Sequence, residues 1–229
     1  MRFDPPLIPG QLIQRYKRFL VDVQLDTGEV VTAHCPNPGS MKSCQAPGWE
    51  VRLSYSPSPK RKLAYTLEMV HNGEVWISVN TSRTNSLVKE ALDAKKIPEL
   101  ADYTQIRPEV KYGEKSRVDF VLSQAGHPDC YLEVKQVSLR LDDDLAFPDA
   151  VSERARKHLG DLLAVQAQGA RAVLLFVLSR GDGVHFRAAH EIDPAYAQAL
   201  AAAQEQGLEV LVYRAEVSPE GVGIGERLF

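Results

Sequence analysis

Short apolar runs that alternate with polar positions fill the first third of the chain. A two-residue period is typical of strands with one buried face, and glycine and proline separate the runs. The predicted strands are RFLVDVQL (18–25), VVTAHC (30–35), WEVRLSY (49–55), KLAYTLEMV (62–70) and VWISV (75–79). Asn72-Gly73, between the last two runs, predicts a hairpin with a type I′ turn. About five short strands in about eighty residues favour a small closed barrel such as an OB-fold.

From Ser86 onward the apolar period lengthens to three or four residues. A helix is indicated before Pro98 by apolar residues at helical spacing, namely Leu87, Val88, Ala91 and Leu92. An alternation follows, with strands predicted at 118–122, 131–134, 172–178 and 208–215 and helices at 151–168 and 194–206. The run AVLLFVL (172–178) lacks polar alternation, as expected for a central strand covered on both faces. We therefore predict a mixed α/β protein with a barrel over 1–80 and an α/β domain over 81–229.

Composition and charge limit the number of domains, the cellular location and the kind of DNA site to be expected. The chain has 229 residues, 44% hydrophobic and 25% charged, which suits two small domains with buried cores. Its three cysteines have unrelated spacings and fit reduced thiols, so a cytoplasmic protein is expected. No apolar leader or membrane-length run is present, so neither export nor membrane insertion is expected. The net charge of -3 requires that any DNA site be a local basic patch.

Two predicted strands of the second domain carry charged residues on one side. Side chains alternate along a strand, so in SRVDF (116–120) Asp119 points away from its apolar neighbours. In YLEVK (131–135) the same rule places Glu133 and Lys135 together on the face opposite the apolar positions. If the two strands pair as a hairpin, two carboxylates and one ammonium converge on one spot.

This trio has the chemistry of a metal-dependent phosphodiesterase. Hard divalent cations prefer carboxylate oxygens, so Asp119 and Glu133 suit Mg²⁺ or Mn²⁺ better than zinc. The metal would polarise a phosphoryl oxygen and lower the pKa of a bound water. Lys135 would orient that water or neutralise charge developing on the phosphate. The alternative is an exposed Glu–Lys ion pair, which the D…ExK string alone does not exclude.

Several longer segments carry a resemblance to a known family. They are LIQRYKRFL (12–20), HCPNPGSM (34–41), EVKYGEKSRVDF (109–120), CYLEVKQVSL (130–139) and FPDAVSERARKHL (147–159). Over essentially its whole length the chain resembles the sugar fermentation stimulation protein A family. The resemblance implies an N-terminal OB-fold domain, a C-terminal restriction-endonuclease-like PD-(D/E)xK domain, non-specific DNA binding and a role in regulating sugar-use genes.

The same resemblance assigns roles to the central residues. It makes Asp119 and Glu133 metal ligands and Lys135 the catalytic lysine, and Val118 stands where the superfamily motif has proline. Superfamily members often place a further acidic residue on the preceding helix, which suggests Glu90 as a third ligand. The alternative for Glu90 is a solvent-facing side chain paired with a neighbouring lysine.

Basic residues near the trio are candidate DNA contacts. Arg117 shares the strand face of Asp119, so a phosphate contact and a structural salt bridge are both open. The helix that follows is predicted to begin at an N-cap, Asp149. Its buried stripe is predicted as Val151, Ala155, Leu159 and Leu162. Its candidate phosphate contacts are Arg154, Lys157 and His158. The alternative for the histidine is a satisfied residue at the edge of the core.

The barrel contributes two further basic stretches. They are Arg15, Tyr16, Lys17 and Arg18, and then Lys60, Arg61 and Lys62. Cationic grooves with interleaved aromatic rings are typical of single-strand binders, whereas the alternative is two solvated turns. A zinc site is not expected, because no zinc module has the spacing of His34, Cys35, Cys44 and His71.

Two hypotheses follow. In the first the protein is a Mg²⁺- or Mn²⁺-dependent nuclease whose barrel holds DNA. In the second it is a non-catalytic, non-specific DNA-binding regulator of sugar-use genes, which is favoured by the absence of a sequence-reading helix-turn-helix pattern. The choice between DNA and RNA, and between single and double strands, stays open.

Overall fold

The computed structural model describes residues 1–112 and 116–228. Residues 113–115, within the segment EVKYGEKSRVDF, lie outside the described residues. The strands of the first part are β1 (Ile8–Tyr16), β2 (Leu20–Leu25), β3 (Val30–His34), β4 (Glu50–Tyr55), β5 (Tyr65–His71) and β6 (Trp76–Ser78). The helices are α1 (Thr84–Asp93), α2 (Glu153–Gln166) and α3 (Pro194–Glu205). The remaining strands are β7 (Gln105–Tyr112), β8 (Ser116–Ser123), β9 (Cys130–Val137), β10 (Leu139–Leu141), β11 (Asp144–Phe147), β12 (Arg171–Leu178), β13 (His185–Ala188), β14 (Glu209–Ser218) and β15 (Gly221–Arg227).

The first part is a closed five-stranded barrel, as predicted. Its strands follow the order β3-β2-β1-β4-β5, and a short parallel pairing of β3 with β5 closes the ring. Strand β6 extends the sheet beside β5. Strand β1 was not predicted, because Pro9 and Gly10 interrupt its apolar pattern. The barrel interior is filled by aliphatic side chains such as Val23, Leu53 and Leu67, which are fully buried.

The β5–β6 hairpin is confirmed, but its turn is not type I′. The side-chain oxygen of Asn72 accepts the N–H groups of Glu74 and Val75, at 3.0 and 2.9 Å. The turn is therefore centred on Gly73 and Glu74, one residue later than the predicted Asn72-Gly73. Only Gly73 has a positive φ, of 97°, whereas a type I′ turn needs positive φ at both central residues.

The second part is a six-stranded sheet with helices on both faces. Its order is β15-β14-β12-β9-β8-β7, with β12 parallel to both β9 and β14. Helix α1 packs on one face, and α2 and α3 pack on the other. Residues 172–178 of β12 are buried throughout, which confirms the predicted central strand. Strands β10, β11 and β13 form a small separate sheet.

Helix α2 begins later than predicted. Its N-cap is Ser152, whose Oγ accepts the N–H of Ala155 at 3.1 Å, so the predicted N-cap at Asp149 is wrong. Asp149 is directed instead to the barrel, where its Oδ2 accepts the N–H of Met41 at 3.4 Å. Val151 precedes the helix and is 68% exposed, so it does not belong to the buried stripe. The other predicted stripe positions are buried as expected.

Buried polar contacts join the barrel to the α/β domain. The guanidinium of Arg180 is 2% exposed and donates to the carbonyl oxygens of Ser43 and Ser138, at 3.1 and 3.0 Å. It also forms an ion pair with Asp182 at 2.6 Å. At the start of the chain, the carbonyl oxygen of Met1 accepts the N–H of Val222 in β15 at 2.9 Å. Among the described residues, no helix has the length and apolarity needed to cross a membrane.

Candidate active site

The β8–β9 hairpin brings together the two carboxylates that the sequence predicted. Phe120 pairs with Leu132, so the next residues outward, Asp119 and Glu133, lie side by side. Asp119 Oδ2 accepts the backbone N–H of Val134 at 2.7 Å, which fixes the side chain against β9. The structure thus places the predicted metal ligands on neighbouring strands of one sheet.

Asp119 is held in an environment that disfavours its charge. Its Oδ1 accepts a hydrogen bond from Asn85 Nδ2 in the first turn of α1, at 2.8 Å. Burial and the nearby charge of Glu133 raise the pKa of Asp119, and its hydrogen bonds offset only part of that increase. Two adjacent carboxylates of this kind are stabilised by a cation between them.

Glu133 is buried, and within the described part of the chain one of its two carboxylate oxygens has hydrogen-bond partners. Oε1 accepts a hydrogen bond from Lys135 Nζ at 2.6 Å and contacts Nδ1 of His158. Burial raises the pKa of Glu133, but the contacts with His158 and Lys135 outweigh it and leave the pKa below its usual range. The side chain, 3% exposed, is therefore buried in its charged form.

The other oxygen, Glu133 Oε2, is buried without a hydrogen-bond partner among the described residues. An unpaired buried oxygen of a charged group is energetically costly, which makes this atom suited to a cation. No group of three or more His, Cys, Asp or Glu side chains in the described part of the chain forms a complete metal cage. A pair of carboxylates nevertheless fits Mg²⁺, which usually keeps several waters and binds one or two carboxylates.

A cleft of about 430 Å³ opens over these carboxylates. Its basic lining residues are Arg117, Arg154 and Lys157, all from β8 or α2. Lys157 Nζ donates to Ser116 Oγ at 2.8 Å, and its side chain is 53% exposed. Acidic residues at the base with cations around them form a cleft suited to a phosphodiester.

Two residues predicted near the metal lie differently from expectation. The carboxylate of Glu90 is 57% exposed and pairs with the amino group of Met1 at 2.7 Å. It does not line the cleft, so the structure does not bring this predicted third ligand to the cluster. His158 lines the cleft, but its ring is buried and its contact is with Glu133. This geometry supports the core-edge alternative and makes His158 a support for the carboxylate.

In the first basic stretch of the barrel, two residues have internal partners. Arg15 donates to the carbonyl oxygens of Asn37 and Gly39, at 3.0 and 2.9 Å, and so holds the loop after β3. The hydroxyl of Tyr16 donates to Asp22 at 3.1 Å. These contacts give both side chains a structural role, and their predicted DNA contact stays a prediction.

The other basic residues of the barrel lie at two exposed turns. Lys17 and Arg18 are exposed between β1 and β2, each with positive φ. In the loop between β4 and β5, Lys60 and Lys62 are exposed, and Arg61 donates to Thr66 Oγ1 at 2.6 Å. None of these side chains lines the cleft over Asp119 and Glu133, so a DNA contact there remains a prediction.

Two site residues were missed by sequence reasoning. Asn85, which fixes Asp119, lies in the first turn of α1, and the apolar spacing that predicts this helix carries no signal for a polar residue beside the site. Glu109 lines the cleft from β7, where it lies across from Asp119 and has a φ of 52°. The signal for Glu109 in the sequence was weak, because Pro108 and the charged residues of β7 interrupt the alternating apolar pattern of a strand.

The fold and the site define a class: a five-stranded OB barrel followed by a restriction-endonuclease-like α/β domain with a D…ExK cluster. The chain belongs to the sugar fermentation stimulation protein family. The family model for the SfsA N-terminal OB domain matches residues 13–79, and the model for the sugar fermentation stimulation protein RE domain matches residues 82–221. The resemblance seen in the sequence is confirmed.

Relatives of known name align over nearly the whole chain. The sugar fermentation stimulation protein homolog of Acidithiobacillus ferrooxidans is 49% identical, over 96% of this chain and 95% of that protein. The Geobacter sulfurreducens homolog is 51% identical, over 97% and 95%. The solved structure of Pyrococcus furiosus SfsA in complex with Ca²⁺ superposes with a TM-score of 0.89 at 23% identity, covering 100% of this chain and 96% of that one. That similarity shows the fold.

Proposed function

We propose that the protein is a divalent-metal-dependent nuclease that hydrolyses phosphodiester bonds in DNA. The observation that carries the proposal is the buried, unpartnered Oε2 of Glu133 beside Asp119. An acidic pair of this kind has no structural purpose that the described contacts explain, whereas a metal site explains both its burial and its missing partner. The cationic cleft above it supplies a place for the substrate phosphates.

Asp119 and Glu133 would hold Mg²⁺ or Mn²⁺, and the ion would supply Lewis acidity and a water of lowered pKa. Asn85 and the N–H of Val134 hold the Asp119 carboxylate in place. Lys135, 17% exposed and fixed by its ion pair with Glu133, neutralises charge that develops on the phosphate or orients the attacking water. The Ca²⁺ in the related Pyrococcus furiosus structure supports a divalent cation in this chain.

The second candidate is a non-catalytic, non-specific DNA-binding regulator of sugar-use genes. One observation favours it: the ion pair of Lys135 and Glu133 is complete without any metal or substrate. In that case the cleft cations would bind phosphates, and the acidic pair would have no chemical role.

A plasmid-nicking and single-strand cleavage assay separates the two candidates. Parent protein and Glu133→Gln are incubated with supercoiled plasmid and with a labelled oligodeoxynucleotide, in Mg²⁺, Mn²⁺ or EDTA. The nuclease proposal expects cleavage by the parent protein with either metal and none in EDTA or in the variant. Binding to DNA without cleavage in any metal would favour the regulator.

The cleft cations should determine the salt dependence of DNA binding. Each phosphate contact that is removed lowers the slope of log K against log salt by about 1. We therefore expect Lys157→Ala and Arg117→Ala each to weaken binding at all sequences and to reduce that slope. Lys96→Ala is the matched control, because Lys96 is exposed and lines none of the cleft. Equal slopes for the parent protein and all three variants would place the DNA elsewhere.

A further inference from the structure

A second cavity lies next to the candidate active site, between the barrel and the α/β domain. It has a volume of about 220 Å³ and is lined by the end of β9 and the start of β10, from Val134 to Leu139. Three residues on its wall contact the site: Lys135 pairs with Glu133, and Asn85 and Val134 donate to Asp119. A group bound here would therefore adjoin a phosphate held over the carboxylates.

The chemistry of this cavity differs from that of the cationic cleft. Among the described residues, the charged ones that line it are Lys135 and Asp149, one of each sign, and Asp149 Oδ2 accepts the N–H of Met41 at 3.4 Å. The other polar lining groups are neutral, and the apolar ones include Pro38 and Phe147. A phosphate would find little positive charge here, whereas a flat uncharged ring with polar edges matches the lining.

The barrel wall of the cavity is held rigidly in place. Asn37 Nδ2 donates to the carbonyl oxygen of Val79 at 3.1 Å, and Arg15 holds the carbonyl oxygens of the same loop. Gly39 packs so closely on the α/β domain that an added Cβ would lie 2.1 Å from Asp149 Oδ2. The cavity is thus preformed by contacts between the two domains and not by a gap in a loose loop.

The size of the cavity limits what it can hold. A cavity of about 150 Å³ accommodates one benzene ring, so this space admits one heterocycle and excludes a base pair. Asn85 Oδ1, which has no partner among the described residues, offers one hydrogen-bond acceptor at the border with the site.

We propose that this cavity binds the nucleobase next to the phosphate held at Asp119 and Glu133. A base in this cavity cannot pair with a complementary strand, so the preferred substrate is single-stranded DNA or a duplex with an unpaired nucleotide. This inference rests on the proposed nuclease function and adds the form of the substrate to it.

The test uses oligodeoxynucleotides whose linkages are phosphorothioates except for one cleavable phosphodiester. An abasic tetrahydrofuran replaces the nucleotide on its 5′ side or on its 3′ side. Single-turnover cleavage is measured in Mg²⁺, and Kd is measured in EDTA. We expect an abasic site on one side to weaken binding on the order of 10-fold, the contribution of one stacked base, and the other side to have little effect. A fully paired duplex should bind more weakly than the single strand.

A variant that fills the cavity provides the second arm. Thr81 is half-buried on the cavity wall and outside the carboxylate cluster, so Thr81→Phe should reduce affinity for the intact oligonucleotide to that for the abasic one. Ser82→Phe is the matched control, because Ser82 is exposed and does not line the cavity. Thermal unfolding and Mn²⁺ binding of both variants check that the site is intact.

The outcomes distinguish this inference from the function on which it rests. If cleavage is metal-dependent but neither abasic site nor Thr81→Phe changes it, the base-binding cavity is overturned and the nuclease proposal stands. A parent protein that neither cleaves nor binds any of these DNAs overturns the nuclease and the cavity together.

Discussion

Asp119→Asn should abolish Mn²⁺ binding and reduce metal-dependent cleavage by about 10³-fold or more, because the metal supplies several kcal/mol of transition-state stabilisation. The pKa of Asp119 is raised by burial and by Glu133, and a neutral amide removes that repulsion. The amide also loses one of the two oxygens that accept hydrogen bonds from Asn85 and Val134. Calorimetry with Mn²⁺ and single-turnover cleavage measure the two expected losses.

The control for this experiment is Asp129→Asn. Asp129 is a partly exposed carboxylate whose partner is Arg107, at 3.1 Å, and it lies outside the cleft. It should retain both Mn²⁺ binding and activity. If Asp119→Asn binds Mn²⁺ as tightly as the parent protein, the metal site is elsewhere.

Most of the site could be predicted because its geometry follows from the period of a strand. Alternation placed Asp119 on one strand and Glu133 with Lys135 on the next, and the hairpin that joins them is local in sequence. The barrel could be predicted for the same reason. The central strand β12 was equally clear, since an unbroken apolar run is explained by burial on both faces.

The errors concern contacts between residues distant in sequence. The N-cap of α2 was misplaced because Asp149 is drawn to Met41, more than a hundred residues earlier, and local pattern cannot show that competition. Glu90 was assigned to the metal on the position of its helix, but the sequence did not reveal that the amino group of Met1 would lie beside it. The hydrogen bonds from Arg15 to backbone carbonyls could not be predicted either, because the carbonyls of a folded loop have no signature in the sequence.

Lys135→Ala should separate catalysis from binding more sharply than any other substitution. If Lys135 neutralises charge that develops only in the transition state, its removal lowers the single-turnover cleavage rate by about 10²-fold or more, as for one preorganised electrostatic donor. The Kd for DNA should change little, because the side chain is mostly buried against Glu133 and the exposed cations of the cleft remain. Cleavage in Mg²⁺ and Kd in EDTA are measured on the same oligonucleotide.

The contrast comes from Lys157→Ala, which removes an exposed cation of the same charge from the lining of the cleft over Asp119 and Glu133. Its effect should fall on Kd and on the salt slope, with a much smaller loss in the single-turnover rate at saturating protein. In Lys135→Ala, Oε1 of Glu133 keeps its contact with His158, so the Glu133 carboxylate retains part of its support. Mn²⁺ binding by Lys135→Ala should therefore persist. If Lys135→Ala and Lys157→Ala weaken DNA binding alike and neither alters a cleavage rate, Lys135 is one more phosphate contact, and the regulator becomes the better description of the protein.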